Sequence, residues 1–157
     1  MTINLIVIGK LKEDYLRNAC AEYIKRLSRY CTFELHELDE CRLGDSPSEK
    51  EILSALKKEG EQIKRFAKGF IIPMCIEGKM LSSPQLSAKM SEAAVSGHST
   101  ITFIIGSSFG LDSEIKQMGS LRLSMSPMTF PHQLARVMLL EQIYRSFQIA
   151  EGGKYHK

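Results

Sequence analysis

Residues 106–110 read Gly-Ser-Ser-Phe-Gly, and a G-x-S-x-G pattern between an apolar β-run and a helix is the setting of a serine nucleophile elbow. Ser108 would be the nucleophile. The elbow places its serine on a tight turn running straight into a helix, whereas here the next helix-capping residue is Asp112. The acid and histidine would have to be Glu141 and His156, one inside an apolar helix and the other at the chain end. A serine hydrolase on Ser108 is therefore the lesser reading. Gly106 and Gly110 also let a backbone approach a ligand closely, but neither the Walker lysine nor G-x-G-x-x-G accompanies them, which argues against nucleotide triphosphates and dinucleotides. What raises the loop above an ordinary turn is a second loop, 125–130 (Met-Ser-Pro-Met-Thr-Phe), which a parallel sheet could place beside it.

Two other constellations carry less. Cys31, His36 and Cys41 could be drawn as a metal site, but a strand over 32–38 turns His36 to the polar face beside Glu34, and a solvated histidine is the better reading. We expect no metal. The cysteines at 20, 31, 41 and 75 show no C-x-x-C spacing and read as free thiols of a reducing compartment. Net charge is +3, yet residues 1–115 carry 15 Lys and Arg against 16 Asp and Glu, while 116–157 carry 6 against 2. The positive excess thus lies in the last quarter of the sequence, beside the paired loops. That suits a polyanion such as nucleic acid.

The elements that must position these residues follow from apolar spacing. Residues 2–8 form a continuous Ile/Val-rich run, a buried parallel strand closed by Gly9, and 13–29 have helical spacing at Leu16, Cys20, Tyr23, Ile24 and Leu27. A second strand is expected at 32–38, then a loop over 39–47. Ser48 with Glu51 caps a helix to about 67. A third strand starts at Gly69, with Pro73 marking an edge, a bulge or its end, and a loop follows over 77–83. Ser83 and Pro84 are the expected N-cap and first residue of a helix over 84–96. A fourth strand is expected at 100–105, a short helix at 113–118 capped by Asp112, a fifth strand at 120–124 and a last helix at 131–149.

Strands alternating with helices imply an α/β fold, a mostly parallel sheet covered on both faces. A chain of 157 residues is one domain's worth and can bury a sizeable core without disulfide or metal. The last helix is apolar around much of its circumference (Ala135, Val137 to Leu140, Ile143, Tyr144, Phe147), so it needs a second burial partner, expected to be another subunit about a two-fold axis. No apolar run approaches the ~20 residues that span a bilayer. Met1 leads directly into a strand-like run with no basic leader, so a cytoplasmic protein is expected.

Three segments, FIIGSSFGL at 103–111, LSMSPMTFPHQLARVMLLEQIYR at 123–145 and KYHK at 154–157, resemble the ribosomal RNA large-subunit methyltransferase H family, a minimal branch of the SPOUT class. INLIVIGK at the start and IEGKMLSS in the middle extend the resemblance over essentially all of 1–157. The resemblance implies a single domain whose C-terminal segment is threaded as a trefoil knot, which pattern alone would not suggest. It further implies methylation of N3 of a pseudouridine in 23S rRNA, with S-adenosyl-L-methionine as donor. The implied cofactor contacts are Met74, Gly106, Met125, Ser126, Pro127, Met128, Thr129 and Phe130. The family commonly has a second glycine where this sequence has Ser107, which would cost about a kcal/mol if that position needs a positive φ.

An imide nitrogen must lose its proton, and the groups able to help are His132, Tyr155 and His156, with Arg136, Arg145 and Lys154 as candidate RNA contacts. Tyr155 and His156, on a tail after Gly152-Gly153, are expected to fold over the pocket and act on the base. Implied partners are 23S rRNA within the ribosome and a second copy of the chain, with no membrane and no DNA. A non-catalytic ribosome-binding assembly factor is the alternative from another class.

Overall fold

The run at the start of the sequence forms β1 (Thr2–Ile8), and its alternation determines how the molecule is layered. Ile3, Leu5 and Val7 enter one core, while Ile6 and Ile8 enter a second. Successive side chains of a strand point to opposite faces, so a strand apolar at both parities must be covered on both. The structure is a computed structural model that describes residues 1–153. After β1 come α1 (Asp14–Leu27), β2 (Thr32–Leu38), α2 (Glu49–Lys64), β3 (Phe70–Met80) and α3 (Ser83–Val95). The remainder comprises β4 (Thr100–Ile105), α4 (Ser113–Gln117), β5 (Leu123–Ser124) and α5 (His132–Ala150). The strands form one sheet in the order β2-β1-β4-β3-β5, with every adjacent pair parallel.

One face carries α1, α3 and α5, whose Cys20, Leu27, Leu86, Met90, Leu139, Leu140 and Ile143 pack with Ile3, Leu5 and Phe103. The other carries α2 and α4, through Ile63 and Ile115 against Ile6, Ile8 and Ile104. A polar seam crosses the second face. Asn4, fully buried, donates from Nδ2 to Phe66 O (2.9 Å) and Thr102 Oγ1 (3.1 Å), and Thr102 Oγ1 donates to Lys68 O (2.6 Å). These bonds fix the end of α2 to the sheet centre, since a buried polar group left unmatched costs about 1–3 kcal/mol.

Four sequence expectations need correction. β3 runs on through Met80 where a loop was expected, because it leaves β4 after Pro73 and finds a new partner in β5. Pro73 therefore marks the end of one ladder within the strand. The N-cap of α3 is Ser82, not Ser83, in a reciprocal capping box with Gln85. β5 is only two residues long, since 120–122 bond to β3 outside the regular ladder, Ser120 N to Ile71 O (2.7 Å) among them. His36 is not simply solvated: its ring stacks on Phe66 at 4.3 Å. Two faces of α5 are covered within the chain by α1 and α3, with Tyr30 stacked on Phe147 at 5.8 Å. Leu139, Leu140 and Ile143 are thereby buried, while Val137, Met138, Tyr144 and Phe147 stay partly exposed. No helix among the described residues is long and apolar enough to cross a membrane.

Candidate functional site

Three chain segments meet at the carboxyl end of the sheet. β4 ends at Ile105 and hands over to the glycine loop, which turns back on itself through Gly110 N to Ser107 O (2.9 Å). The positive φ of that turn falls on Gly110 (+88°), and no non-glycine among the described residues has one. Ser107 is therefore unstrained, and the glycine usual at its position is not needed here for backbone reasons. Gly106 is needed for space: a Cβ on it would lie 2.1 Å from Gly110 O.

The second wall is β3 from Met74 to Glu77. The third begins at Leu123 and runs through 124–130 into α5, with Met128 N donating to Ser126 Oγ (3.0 Å) to shape its turn. This segment passes very close to β3. A Cβ on Gly78 would lie 2.7 Å from Leu123 C, and one on Gly119 would lie 2.6 Å from the Pro73 ring. Together the walls enclose an open cavity of about 690 Å³.

Of the residues expected to hold a cofactor, Met74, Gly106, Met125 and Ser126 line this cavity, as do Met128, Thr129 and Phe130. Pro127 does not; it is exposed at the tip of its loop. Cys75, Ile76 and Glu77 also line it and carry no motif that marks them in the sequence; Cys75 and Ile76 fall in the expected third strand and Glu77 in the expected loop over 77–83. At the rim Lys116 Nζ donates to Glu77 Oε1 (2.5 Å), and this ammonium holds the Glu77 carboxyl below its usual range. Burial pushes the Cys75 thiol above its usual range.

His132 lines the same cavity from the first residue of α5. A Cβ on Gly9 would lie 3.9 Å from His132 Nε2 and 3.7 Å from Glu40 Oε2, so β1's end and the 39–48 segment reach this corner too. Arg136, expected to contact RNA, is instead buried at 2% exposure. Its Nη1 donates to Glu37 Oε2 (2.7 Å) and its Nη2 to Gly9 O (2.9 Å). One turn of helix inward from His132, it ties α5 to the ends of β1 and β2 and is unavailable to phosphate. Arg145 Nε donates along its own helix to Glu141 Oε1 (2.9 Å). Lys154, Tyr155 and His156 lie outside the described residues.

Among the described residues of the basic last quarter, Lys116, Arg136 and Arg145 each pair with a carboxylate. The hydrolase reading loses its acid in the same way: Glu141 is paired with Arg145, and α4 begins only at Ser113, five residues after Ser108. Among the described residues no group of three or more His, Cys, Asp or Glu could hold a metal, and the four cysteines are free.

Residues 1–156 match the model of the family described as "Predicted SPOUT methyltransferase". The chain is 46% identical over its whole length to proteins named ribosomal RNA large subunit methyltransferase H from Leuconostoc citreum and Streptococcus equi subsp. zooepidemicus, covering all of each. Among solved structures, a tRNA (m1G37) methyltransferase from Aquifex aeolicus superposes with a TM-score of 0.54 at 14% identity, over 92% of this chain and 70% of that one. That likeness bears on the fold alone.

Proposed function

The chain belongs to the SPOUT methyltransferase family, and from that premise we propose that it methylates ribosomal RNA, transferring the methyl group of S-adenosyl-L-methionine to N3 of a pseudouridine in 23S rRNA. The observation that carries this reading is the convergence of the glycine loop, β3 and the 123–130 loop on one cavity. Its volume of about 690 Å³ lies within the ~300–1,000 Å³ usual for small-molecule sites. Met74, Ile105 and Leu123 offer apolar surface for a purine face, and the loops around them carry backbone groups outside the sheet ladders that can read its edges. The residues present therefore fit the cofactor.

When bound, S-adenosyl-L-methionine supplies an electrophilic methyl on a sulfonium centre. Everything else falls to this chain. Its loops hold donor and base in line, and alignment of two reactants lowers a barrier by up to ~7–11 kcal/mol. The imide proton leaves toward a basic group at the open side of the cavity. His132 lines the cavity, and Tyr155 and His156, with Lys154, join it when the tail closes over bound RNA. Tyr155 orients the base, His156 contacts base or phosphate, and Arg145 contributes an outer contact.

The close passage of 119–123 across Gly78 and Pro73 supports a further element of this reading, that the C-terminal segment is threaded as a trefoil knot within one domain spanning 1–157. A groove of about 550 Å³, lined by Tyr23, Leu81, Leu86, Val137 and Met138, supports a homodimer whose second copy covers it. The natural setting is the cytoplasm, where the ribosome presents the substrate hairpin.

The test is mass spectrometry of 23S rRNA after incubation of unmodified ribosomes with the protein and labelled donor. One added methyl on a pseudouridine is expected; binding without label transfer would leave only an assembly factor. Deleting 154–157 should abolish transfer while donor affinity stays near that of the full chain. A truncated protein that still methylates would remove the tail from the mechanism. Sedimentation equilibrium should give twice the 17.7 kDa chain mass, and a monomer mass would end the dimer proposal.

A further inference from the structure

Behind the glycine loop lies an acid that no step above uses. Glu59, in the second half of α2, is 3% exposed and has no ion-pair partner among the described residues. Both of its oxygens are nevertheless engaged. Oε1 accepts the Cys41 N–H (2.9 Å), and Oε2 accepts the Ser107 hydroxyl (3.1 Å). The next residue, Gly60, lets the helix come so near that a Cβ there would sit 3.3 Å from Asp112 Cβ. α2 thus braces the loop at both ends, at Ser107 where it leaves β4 and at Asp112 where it enters α4. Between these points Ser108 and Phe109 are exposed and face the cavity.

A buried carboxylate without a cation opposes folding, and a well-packed apolar side chain at the same place would cost less. What it supplies is a fixed shape for a loop that would otherwise be ordered by the ligand, at the ligand's expense in affinity. We propose that Glu59 is a positioning residue for the methyl donor: through Ser107 Oγ it holds 106–111 in the pocket-lining shape before the donor arrives, and so sets donor affinity without touching donor or RNA. This rests on the cofactor reading of the cavity. The other charged group acting on Glu59 is Glu40, on the segment between β2 and α2. It is an acid, so the hold on Ser107 is a matter of matched hydrogen bonds and not of charge attraction. Glutamine can keep that match, accepting from Cys41 N–H through its carbonyl and donating to Ser107 Oγ through its amide.

The experiment titrates S-adenosyl-L-methionine calorimetrically into the full-length protein and its variants. Ser107→Ala and Glu59→Ala should each weaken binding roughly five- to tenfold. Their combination should be no weaker than the weaker single change, because each removes the same link. Glu59→Gln should stay within about twofold of the parent by that hydrogen-bond match. RNA affinity should be unmoved in all of them, and amide exchange at 106–111 should quicken in ligand-free Ser107→Ala. Ser107→Ala leaves the Cys41 bond intact, so it decides the matter even if Glu59→Ala does not fold. Unchanged donor affinity in Ser107→Ala, or a loss in Glu59→Gln equal to that in Glu59→Ala, overturns the proposal. Failure of the parent protein to bind the donor is a separate result, and it overturns the cofactor reading instead.

Discussion

Ser107 and Arg136 show how residue type can mislead about residue role. A serine where the family commonly has glycine suggests a strained backbone, and an arginine beside a pocket suggests a phosphate contact. Both instead serve the protein, the serine by donating to Glu59 and the arginine by pairing with Glu37. Their partners lie 48 and 99 residues away in sequence, and no local pattern could have joined them. Burial pushes the Glu59 carboxyl above its usual 4.5, outweighing the two hydrogen bonds that lower it. A folded-state value above the unfolded one means stability that is fully present below about pH 4.5 and is lost as pH rises through the folded value. Urea midpoints of Glu59→Gln and the parent, compared at pH 4 and pH 8, should therefore shift in the variant's favour at the higher pH; parallel pH dependences would contradict this. Glu37→Ala leaves the Arg136 guanidinium buried with only Gly9 O. It should lower stability by about 3 kcal/mol, the low end for a broken buried pair because Glu37 itself is about a third exposed.

Among the elements, those with strong periodicity were legible and those defined by a distant partner were not. β1, β2 and β4 fall where the apolar runs place them, and Ser48 and Asp112 cap their helices as their residue types require. The second half of β3 escaped notice because Glu77-Gly78-Lys79 has the composition of a turn and becomes a strand only when 122–124 lies beside it. Gly78 is the residue that permits this pairing. Gly78→Ala drives a Cβ into the Leu123 backbone, where neither side can yield as a flexible side chain would. A loss of at least ~3 kcal/mol, the upper range for overpacking, is expected in a urea titration, together with loss of donor binding. Ser82→Ala, by contrast, should cost about 1 kcal/mol as a lost cap and leave donor affinity alone.

At the scale of the molecule, the charge map is the feature most altered by folding. Three of the six cations after residue 115 are tied to carboxylates, so a net charge of +3 does not translate into a broad basic face. RNA affinity should still fall on a log-log plot against salt, but with a shallow slope, about −0.7 to −0.9 per phosphate neutralised and few phosphates in all. A steep slope, of the kind given by ten contacts, would mean that the tail or a second copy supplies phosphate contacts beyond those of the described residues. The crossing of 119–124 over β3 has one more consequence, in the order of events during synthesis. β1 to β4 can pair as soon as they leave the ribosome, but the third wall of the cavity begins only at Leu123 and is bound to a strand completed more than forty residues earlier. Contacts of such sequence separation are the slow ones to form. A nascent chain halted before residue 123 would thus hold most of a sheet and no complete cavity, which forms only once the segment from Leu123 to Phe130 has been made and has returned to β3.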